Sequence, residues 1–332
     1  MQSKKPRYVM LTIDTEFSTH KDLIGVWGKV GEQEYGISKI VEICDHFDVP
    51  ATFFLDVYQK ENAVRKAGEY ILKHGYDVQL HTHPNWKYER KRENLRYYSL
   101  EEQCEIIRFG KEAMASWFGK IPVAHRAGDF GVNADSITAL RENNILGDFS
   151  FFHHWPECHL QKKVKVRNKI SKINDVWEVP VTCFFSSGLE ISKCFRLIDI
   201  NEPFSLLCYL FNQLKKLDFK TIVIVLHSFS FLGYNDFPVN GIPNREIYWP
   251  KPLVVQKFAK LLNFLKNDTS FKMISVKDFL VQVRKNPESV ANPDLIPALP
   301  LRYSWLRLAS RICTAGYDRL FRIPYFLPKR IK

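Results

Sequence analysis

The sequence predicts an α/β protein built on a mostly parallel sheet that is closed or nearly closed. Short apolar runs typical of buried strands alternate with stretches whose apolar residues have helical spacing. Acids, histidines and an arginine follow directly after several of these runs. The alternation is typical of strand–helix–strand units, whose strands pair in parallel.

The first unit spans residues 8 to 57. The apolar runs "YVMLTID" and "ATFFLDV" predict two strands. Between them, "YGISKIVEICDHF" predicts a helix, because its apolar residues recur at helical spacing. These residues are Ile37, Ile40, Val41, Cys44 and Phe47.

The second and third units follow the same pattern. "AVRKAGEYILKHG" predicts a helix that ends near Gly75, before the strand "YDVQL". "SLEEQCEIIRFGKEAMASWFG" opens with Ser99 and Glu102, which have the spacing of a capping box. "IPVAHRAG" then predicts a strand with its loop, and "NADSITALRENNI" predicts a helix capped by Asn133 or Asp135.

The second half of the chain supplies three more strands and then changes in composition. "VWEVPVT", "TIVIVLHSF" and "KMISV" predict strands, with helices at about 203–217 and 252–266. We therefore expect a barrel domain over residues 1–285. Prolines at 287, 293, 297 and 300 predict an extended linker at 286–302, before a tail at 303–332.

Composition limits the class of protein. The 332 residues are 45% hydrophobic and 25% charged, as in globular proteins with a sizeable core. The N-terminal residues lack the pattern of a signal peptide, and no apolar run reaches membrane-span length. Seven scattered cysteines without a CxxC pair favour reduced thiols over disulfides or a cysteine-based zinc site. We therefore expect a cytoplasmic protein.

The net charge of +12 is concentrated late in the chain. No nucleic-acid motif accompanies it, so we expect no nucleic-acid partner. In the tail, apolar residues form one helical stripe and most arginines lie off it. The stripe is Leu306, Ala309, Cys313, Tyr317 and Leu320, with Trp305 beside it, and the arginines are Arg307, Arg311, Arg319 and Arg322. Peripheral contact with an anionic membrane and packing on the barrel both fit this pattern.

Polar residues follow four of the predicted strands. The first strand ends in Asp14 and Glu16, and the strand "YDVQL" is followed by "HTHPNW". The third of these strands leads into "RAGDF", and the fourth ends in His227. Ligands of parallel α/β proteins bind at the carboxyl ends of the strands, so we expect these side chains to share one site.

The residue types indicate metal-assisted hydrolysis. One carboxylate and two imidazoles suit a divalent ion that keeps a position open for water. A second carboxylate beside them could take the proton of that water, and a separate histidine could protonate a leaving group. This chemistry does not select a substrate.

The ordered motifs resemble the polysaccharide deacetylases of the NodB-homology type, carbohydrate esterase family 4. The resemblance spans residues 8 to about 280 and is nearest to the branch of surface-polysaccharide and lipopolysaccharide biosynthesis. "TIDTE" is similar to the first motif, "HTHPNW" to the second, "HRAGDFG" to the third and "VLHSF" to the fifth, while "DVWEVPVT" is a weaker match to the fourth. The resemblance implies a distorted (β/α)7-type barrel and N-deacetylation of sugars.

Roles follow from the resemblance by position. Asp14 would be the general base, oriented by Arg126, and His227 the general acid. Glu16 and His81 would bind a divalent metal ion, with zinc as the first expectation. The chain departs from the second motif where a histidine is expected, because that position is Asn85.

The third metal ligand is open at this stage. His83 would face the same side as His81 if the strand continued, because side chains alternate along a strand. If the chain turned into a loop directly, Asn85 would be better placed. We expect His83 to be the ligand, with Asn85, Trp86, Asp129 and Trp177 contacting the substrate.

The sequence thus predicts a metal-dependent hydrolase that removes an N-acetyl group from a nucleotide- or lipid-linked sugar. The alternative is a catalytically silent barrel that binds glycans or protein partners, and the departure at Asn85 is the feature that favours it.

Overall fold

A curled, nine-stranded sheet forms the centre of the protein. The computed structural model describes residues 6–16, 24–162, 167–186, 194–234, 238–239, 242–243, 248–307, 309–310 and 313. The sheet strands are β1 Arg7–Thr15, β2 Thr52–Asp56, β3 Asp77–Thr82, β4 Ala124–Ala127, β5 Gly147–Asp148, β6 Ser171–Ile173, β7 Val176–Glu178, β8 Thr221–His227 and β9 Phe271–Met273. Their order is β8-β1-β2-β3-β4-β5-β7-β6, and β9 pairs with the beginning of β1.

Every described pairing within this sheet is parallel except that of β6 with β7. The expectation of a mostly parallel α/β barrel with about seven strands is confirmed in its main path, which has seven parallel strands from β8 to β7. The strands β8 and β6 lie at the two ends of the path, so the curled sheet is a half-barrel.

Helices cover the outer face of the sheet. They are α1 Ile37–Phe47, α2 Glu61–Lys73, α3 Leu100–Phe118, α4 Ala134–Glu142, α5 Phe204–Lys216, α6 Pro252–Asn267 and α7 Val276–Lys285, followed by α8 at 301–307. Shorter helices are Ile24–Trp27, Pro84–Trp86, Leu95–Tyr97, Gly128–Phe130, His159–Lys162 and Pro287–Ser289. Small antiparallel pairs join Lys29–Val30 to Gln33–Glu34, Cys183–Phe185 to Phe195–Leu197, Leu232–Tyr234 to Tyr248–Pro250, and Pro238–Val239 to Ile242–Pro243.

Alternation along β1 builds two apolar layers. Val9, Leu11 and Ile13 pack with the buried faces of the helices, while Met10 belongs to a second cluster inside the curl. Burying one such side chain contributes roughly 1.5–3 kcal/mol, so β1 is held from both sides. The inner cluster fills the curl below the strand ends and leaves polar residues at its top.

The local signals for helix ends are confirmed. Ser99 and Glu102 form the capping box of α3, and Asn133, rather than Asp135, caps α4. Gly75 follows α2 with a φ of +81°, a conformation that glycine adopts without steric cost. Each cap satisfies backbone groups that a helix end leaves unpaired.

The proline-containing segment 286–302 packs against the barrel along much of its length. Asn292 is 6% exposed, and its side chain bonds four backbone groups, of Asn168, Lys220 and Thr221. Leu299 donates its backbone N–H to the Phe185 carbonyl. The segment begins with the short helix Pro287–Ser289, and buried hydrogen bonds attach it to the barrel.

The beginning of the tail is also attached. Tyr303 stacks on Tyr209 of α5, and Arg307 Nε donates to Glu202 Oε1 at 2.6 Å. Arg307 is 8% exposed, so it is not the freely exposed arginine expected from the helical stripe. Of the other tail residues in the predicted helical stripe and among its arginines, five lie outside the described residues: Arg311, Tyr317, Arg319, Leu320 and Arg322.

No helix among the described residues is long and apolar enough to cross a membrane. All seven cysteines lie in the described part of the chain, and they form no disulfide.

Candidate active site

The carboxyl ends of β8, β1, β2, β3 and β4 meet at one edge of the sheet. Asp14 pairs in register with His227, and His81 pairs with Asp56 on one side and Arg126 on the other. Interior-facing residues at the ends of neighbouring parallel strands are necessarily close. The sheet therefore brings the sequence-predicted acids, histidines and arginine to one place.

Asp14 and Arg126 form a buried ion pair. Arg126 Nη1 donates to Asp14 Oδ1 at 2.7 Å and to Thr12 Oγ1 at 2.9 Å, and its Nε donates to the Phe149 carbonyl at 3.1 Å. The guanidinium lies 4.4 Å from the centre of the Phe54 ring. Arg126 is fully buried, so this geometry fixes Asp14 in one orientation.

Glu16, His81 and His83 form a compact triangle beside that pair. Glu16 Oε1 lies 3.1 Å from His81 Nε2 and 3.2 Å from His83 Nε2. One ligand atom from each residue lies within 4.8 Å of the others. The structure thus places His83, and not Asn85, beside Glu16 and His81.

Local sequence explains how both histidines reach Glu16. His81 and His83 are two residues apart on one extended segment, and so lie on the same side of it. Pro84 follows His83, and the residue before a proline is kept out of the helical conformation. His83 accordingly has a φ of −117°, and the short helix Pro84–Trp86 begins only after it.

Gly128 provides the space for the His83 ring. A Cβ at this position would lie 2.3 Å from His83 Cε1 and 2.5 Å from its Nε2. Any other residue would push the imidazole away from Glu16. The glycine of "RAGDF" is therefore a spatial requirement for the triangle.

The triangle fits a divalent metal ion such as zinc. Two atoms about 2.0–2.1 Å from zinc at a tetrahedral angle are about 3.3 Å apart, close to the two observed distances. His81 Nδ1 lies 2.8 Å from the Arg126 carbonyl oxygen, so Nδ1 carries the proton and Nε2 presents its lone pair to the triangle. His83 Nε2 is buried without a hydrogen-bond partner among the described residues.

In the metal-free triangle, close contacts between charged groups shift the pKa values of Glu16 and His83. Burial alone would raise the pKa of Glu16, but the positive charge of His83 and the close contacts of both imidazoles with the Glu16 carboxylate outweigh it and hold this pKa well below its usual value. Burial opposes the positive charge of His83, yet Glu16, Asp56 and Asp14 raise the pKa of His83 to about 9. Glu16 and His83 therefore form an ion pair at neutral pH.

That ion pair predicts a pH dependence of zinc binding. His83 carries a proton below about pH 9 in the metal-free protein, and zinc requires the neutral imidazole. Apparent zinc affinity should therefore increase about tenfold for each pH unit from about pH 6 to 8, because at least one proton leaves per ion. Calorimetric titrations in buffers of different ionisation enthalpy measure this release, and an affinity independent of pH would contradict the assignment.

His227 lies at the open side of the site. Its side chain is 40% exposed, and its Nε2 is 3.9 Å from Glu16 Oε1. The His227 backbone N–H donates to Ser230 Oγ, and the ring stacks on Phe229. Ser228 N–H donates to the Asp14 carbonyl, which holds this strand end against β1.

Asp56 is a residue at this site that our sequence reasoning did not select. It ends β2, is fully buried, and accepts hydrogen bonds from Tyr58 N–H and Gln59 Nε2. Burial raises the pKa of Asp56, although His83 and His81 oppose this effect. The acid in "ATFFLDV" was the available signal, since it also follows an apolar strand.

The four residues expected to contact substrate lie on three different elements. Asn85 and Trp86 belong to the short helix after His83, and Asn85 Oδ1 is buried without a hydrogen-bond partner among the described residues. Asp129 is exposed beside Gly128 and accepts from Trp155 Nε1. Trp177 pairs with Gly147 on β7, below the strand ends, with Lys172 over its ring.

Trp177 packs against the inner cluster, and its expected contact with substrate stays a prediction. The weak fourth motif also behaves differently from a site motif, because its acid, Glu178, is fully buried and is the register partner of Asp148. Alternation along β7 accounts for this, since Val176 and Glu178 face the helices. The motif contributes to packing on both faces of the sheet, since Val176 belongs to the outer cluster and Val179 and Val181 belong to the inner one.

No protein-family model and no curated protein matches the sequence. Solved structures do match. A protein from Mycobacterium smegmatis that is provisionally described as a polysaccharide deacetylase is 15% identical, with a TM-score of 0.57 over 89% of this chain and 97% of that one. The chitin deacetylase of Colletotrichum lindemuthianum is 14% identical, with a TM-score of 0.45 over 82% and 87%.

A further match is a pseudoenzyme of the CE4 family from Bacillus anthracis, at 12% identity and a TM-score of 0.44 over 83% of this chain and 66% of that one. The assignment of fold rests on the Mycobacterium smegmatis structure alone. The chain has the fold of the polysaccharide deacetylases, the NodB-like (β/α) barrel. The resemblance found in the sequence is confirmed at this level.

Proposed function

We propose that the protein is a metal-dependent hydrolase that removes the N-acetyl group of a sugar. The observation that carries this proposal is the triangle of Glu16, His81 and His83 beside the Asp14–Arg126 pair and His227. The triangle supplies the two imidazoles and one carboxylate of a hydrolytic metal site. The departure at Asn85 favours a silent barrel, whereas the contact of His83 with Glu16 supports the enzyme.

The residues divide the chemistry of amide hydrolysis among them. A bound divalent ion supplies Lewis acidity that polarises an amide carbonyl and acidifies a water molecule. Asp14, held through Oδ1 by Arg126, takes the proton of the attacking water. His227 Nε2 gives a proton to the amine nitrogen as the carbon–nitrogen bond breaks, so acetate and a free amino sugar are formed.

The substrate is proposed to be an N-acetylated sugar of surface-polysaccharide or lipopolysaccharide biosynthesis, linked to a nucleotide or lipid carrier on the cytoplasmic side of the membrane. The sequence resemblance supports this class. Asn85, Trp86 and Asp129 flank His83 and Gly128, so they are candidates for contacting the sugar. Zinc is the proposed ion.

Acetate release tests the proposed reaction. The zinc-loaded protein should release acetate from at least one member of a panel of nucleotide-linked and lipid-linked N-acetyl sugars. Chelation should abolish release, and added zinc should restore it. If the zinc-loaded protein releases no acetate from any panel member, a deacetylase acting on these sugars is the wrong function.

We also propose that the tail contacts an anionic membrane surface. Residues 301–332 contain one acidic residue, Asp318, and eight basic ones, which are Arg302, Arg307, Arg311, Arg319, Arg322, Lys329, Arg330 and Lys332. On α8, Leu301 is 64% exposed, Trp305 63% and Leu306 39%. Exposed apolar residues among basic ones suit the interface of an anionic bilayer, where each basic residue contributes about 1 kcal/mol.

The double substitution Leu301→Ser and Trp305→Ser should reduce binding to phosphatidylserine-containing vesicles by about tenfold, because it removes the apolar contact and leaves the charge. Co-sedimentation with vesicles measures this. Ile121→Ser is the matched control, since Ile121 is 65% exposed and far along the chain from the tail. Equal binding of the double variant and wild type would contradict membrane contact by α8.

A further inference from the structure

A buried polar cluster lies on the reverse face of the strands that carry the site. It consists of Thr82, His125, Asp148, Ser150 and Glu178, all fully buried. Charged groups in such a place are costly unless they are paired. None of them faces the triangle, because side chains alternate between the two faces of each strand.

Asp148 is the centre of this cluster. Its Oδ1 accepts from Ser150 Oγ at 2.8 Å and lies 2.7 Å from His125 Nδ1. His125 Nε2 lies 3.0 Å from the hydroxyl of Thr82, the residue between His81 and His83. The cluster therefore contacts the segment that carries both histidines.

Glu178 completes the cluster as a proton donor. Asp148 and Glu178 are register partners, and each has one buried oxygen without a hydrogen-bond donor among the described residues, Oδ2 of Asp148 and Oε2 of Glu178. Burial and the nearby Asp148 carboxylate raise the pKa of Glu178 well above its usual value. A proton held by Glu178 satisfies both oxygens and leaves the negative charge on Asp148.

One peptide group connects this cluster to the metal triangle. The carbonyl oxygen of Arg126 lies 2.8 Å from His81 Nδ1, and the N–H of the same peptide, that of Ala127, donates to Ser150 Oγ at 2.9 Å. Ser150 in turn donates to Asp148. A continuous chain of hydrogen bonds thus runs from His81 through the peptide and Ser150 to the buried carboxylate.

We propose that Asp148 and Ser150 are positioning residues for the metal ligand His81, acting through the peptide between Arg126 and Ala127. Histidine ligands of metals usually donate their second ring N–H to a carboxylate or carbonyl, which orients the ring and raises its basicity. Here the Arg126 carbonyl accepts the hydrogen bond from His81 Nδ1–H. The Asp148 carboxylate lies two hydrogen bonds further along. Hydrogen bonds in such chains polarise one another, so the charge of Asp148 strengthens the bond to His81.

This inference rests on the proposed metal site. Ser150→Ala removes the middle of this series of hydrogen bonds and leaves the Ala127 N–H unpaired. Zinc should therefore bind about tenfold more weakly, since losing a residue that supports a metal ligand costs about 10- to 100-fold in affinity. Ser150→Thr keeps a hydroxyl and should restore most of the affinity. Asp148→Asn removes the charge and should weaken zinc binding as Ser150→Ala does.

Ser136→Ala is the matched control. Ser136 is also fully buried and also donates to a side-chain oxygen, that of Gln103, but it has no connection to His81. The control should lower thermal stability without changing zinc affinity. A proton NMR signal reports on the mechanism, because the His81 Nδ1–H resonance of the zinc-loaded protein should move upfield in Ser150→Ala and return in Ser150→Thr.

The outcomes separate this inference from the proposed function. If wild type binds zinc and Ser150→Ala binds it equally, with an unmoved His81 resonance, the positioning role is wrong and the metal site stands. The same conclusion follows if Ser136→Ala weakens zinc binding as much as Ser150→Ala. If wild type itself binds no zinc, the metal site and the inference are both wrong.

Discussion

Asp14→Asn should lower the rate of acetate release by about 10³-fold while the protein still binds one zinc ion. Removal of a general base typically costs 10²–10⁴-fold, and the asparagine amide cannot accept the proton of water. Asp14 is not part of the proposed ligand triangle of Glu16, His81 and His83, so zinc should remain bound. Asp14, Glu16 and His227 also have ligand atoms within 4.8 Å of one another, and loss of zinc from the variant would favour that second set. Acetate release and zinc content are measured on the same preparation.

The substitution also has a structural cost. Arg126 would remain buried without its carboxylate partner, and breaking such a pair commonly costs about 3–5 kcal/mol of folding stability. Rates are therefore compared at a temperature where circular dichroism shows the variant to be folded. Wild-type activity in a folded, zinc-loaded Asp14→Asn variant would exclude Asp14 as the base.

His83→Ala should weaken zinc binding by more than about 100-fold, the upper figure for changes outside the ligand shell. The reason is that His83 supplies one of the three ligand atoms of the triangle. Asn85→Ala is the matched control, since it alters the position where the family pattern has a histidine and should leave zinc affinity nearly unchanged. A competition titration with a chromophoric chelator measures both variants.

The opposite result would have a clear meaning. If Asn85→Ala lost zinc and His83→Ala retained it, the segment after β3 would have to turn earlier than the structure shows. Asn85 would then be the third ligand.

Much of the fold was predictable from the sequence because strand and helix patterns are local. The runs that became β1, β2 and β8 are largely apolar, and helix caps such as Ser99 and Asn133 have strong chemical signatures. Parallel pairing then determined that the residues after these runs would meet. Asp14, Glu16, His81 and His227 were found in this way.

The third ligand could not be decided from the sequence, because it depends on where β3 stops. Pro84 keeps His83 extended, but the space for its ring comes from Gly128, which lies in another loop. Asp56 was overlooked for a related reason. A single acid after a strand commonly caps a helix, and only the register of β2 with β3 places it beside His81.

Glu178 and Arg307 lie in surroundings that the sequence pattern does not predict. Both are charged residues that sequence patterns place at a motif or on an exposed face. In the structure each is buried against a carboxyl group, Asp148 in one case and Glu202 in the other. Such pairings join distant parts of the chain, so no local pattern reports them.

The central claim is that this barrel holds a catalytic divalent ion at Glu16, His81 and His83. A zinc titration of the purified, metal-free wild-type protein tests it most directly. We expect one ion per chain, bound more tightly as the pH rises from about 6 to 8. A protein that binds no zinc over this range would contradict the claim and favour a silent barrel.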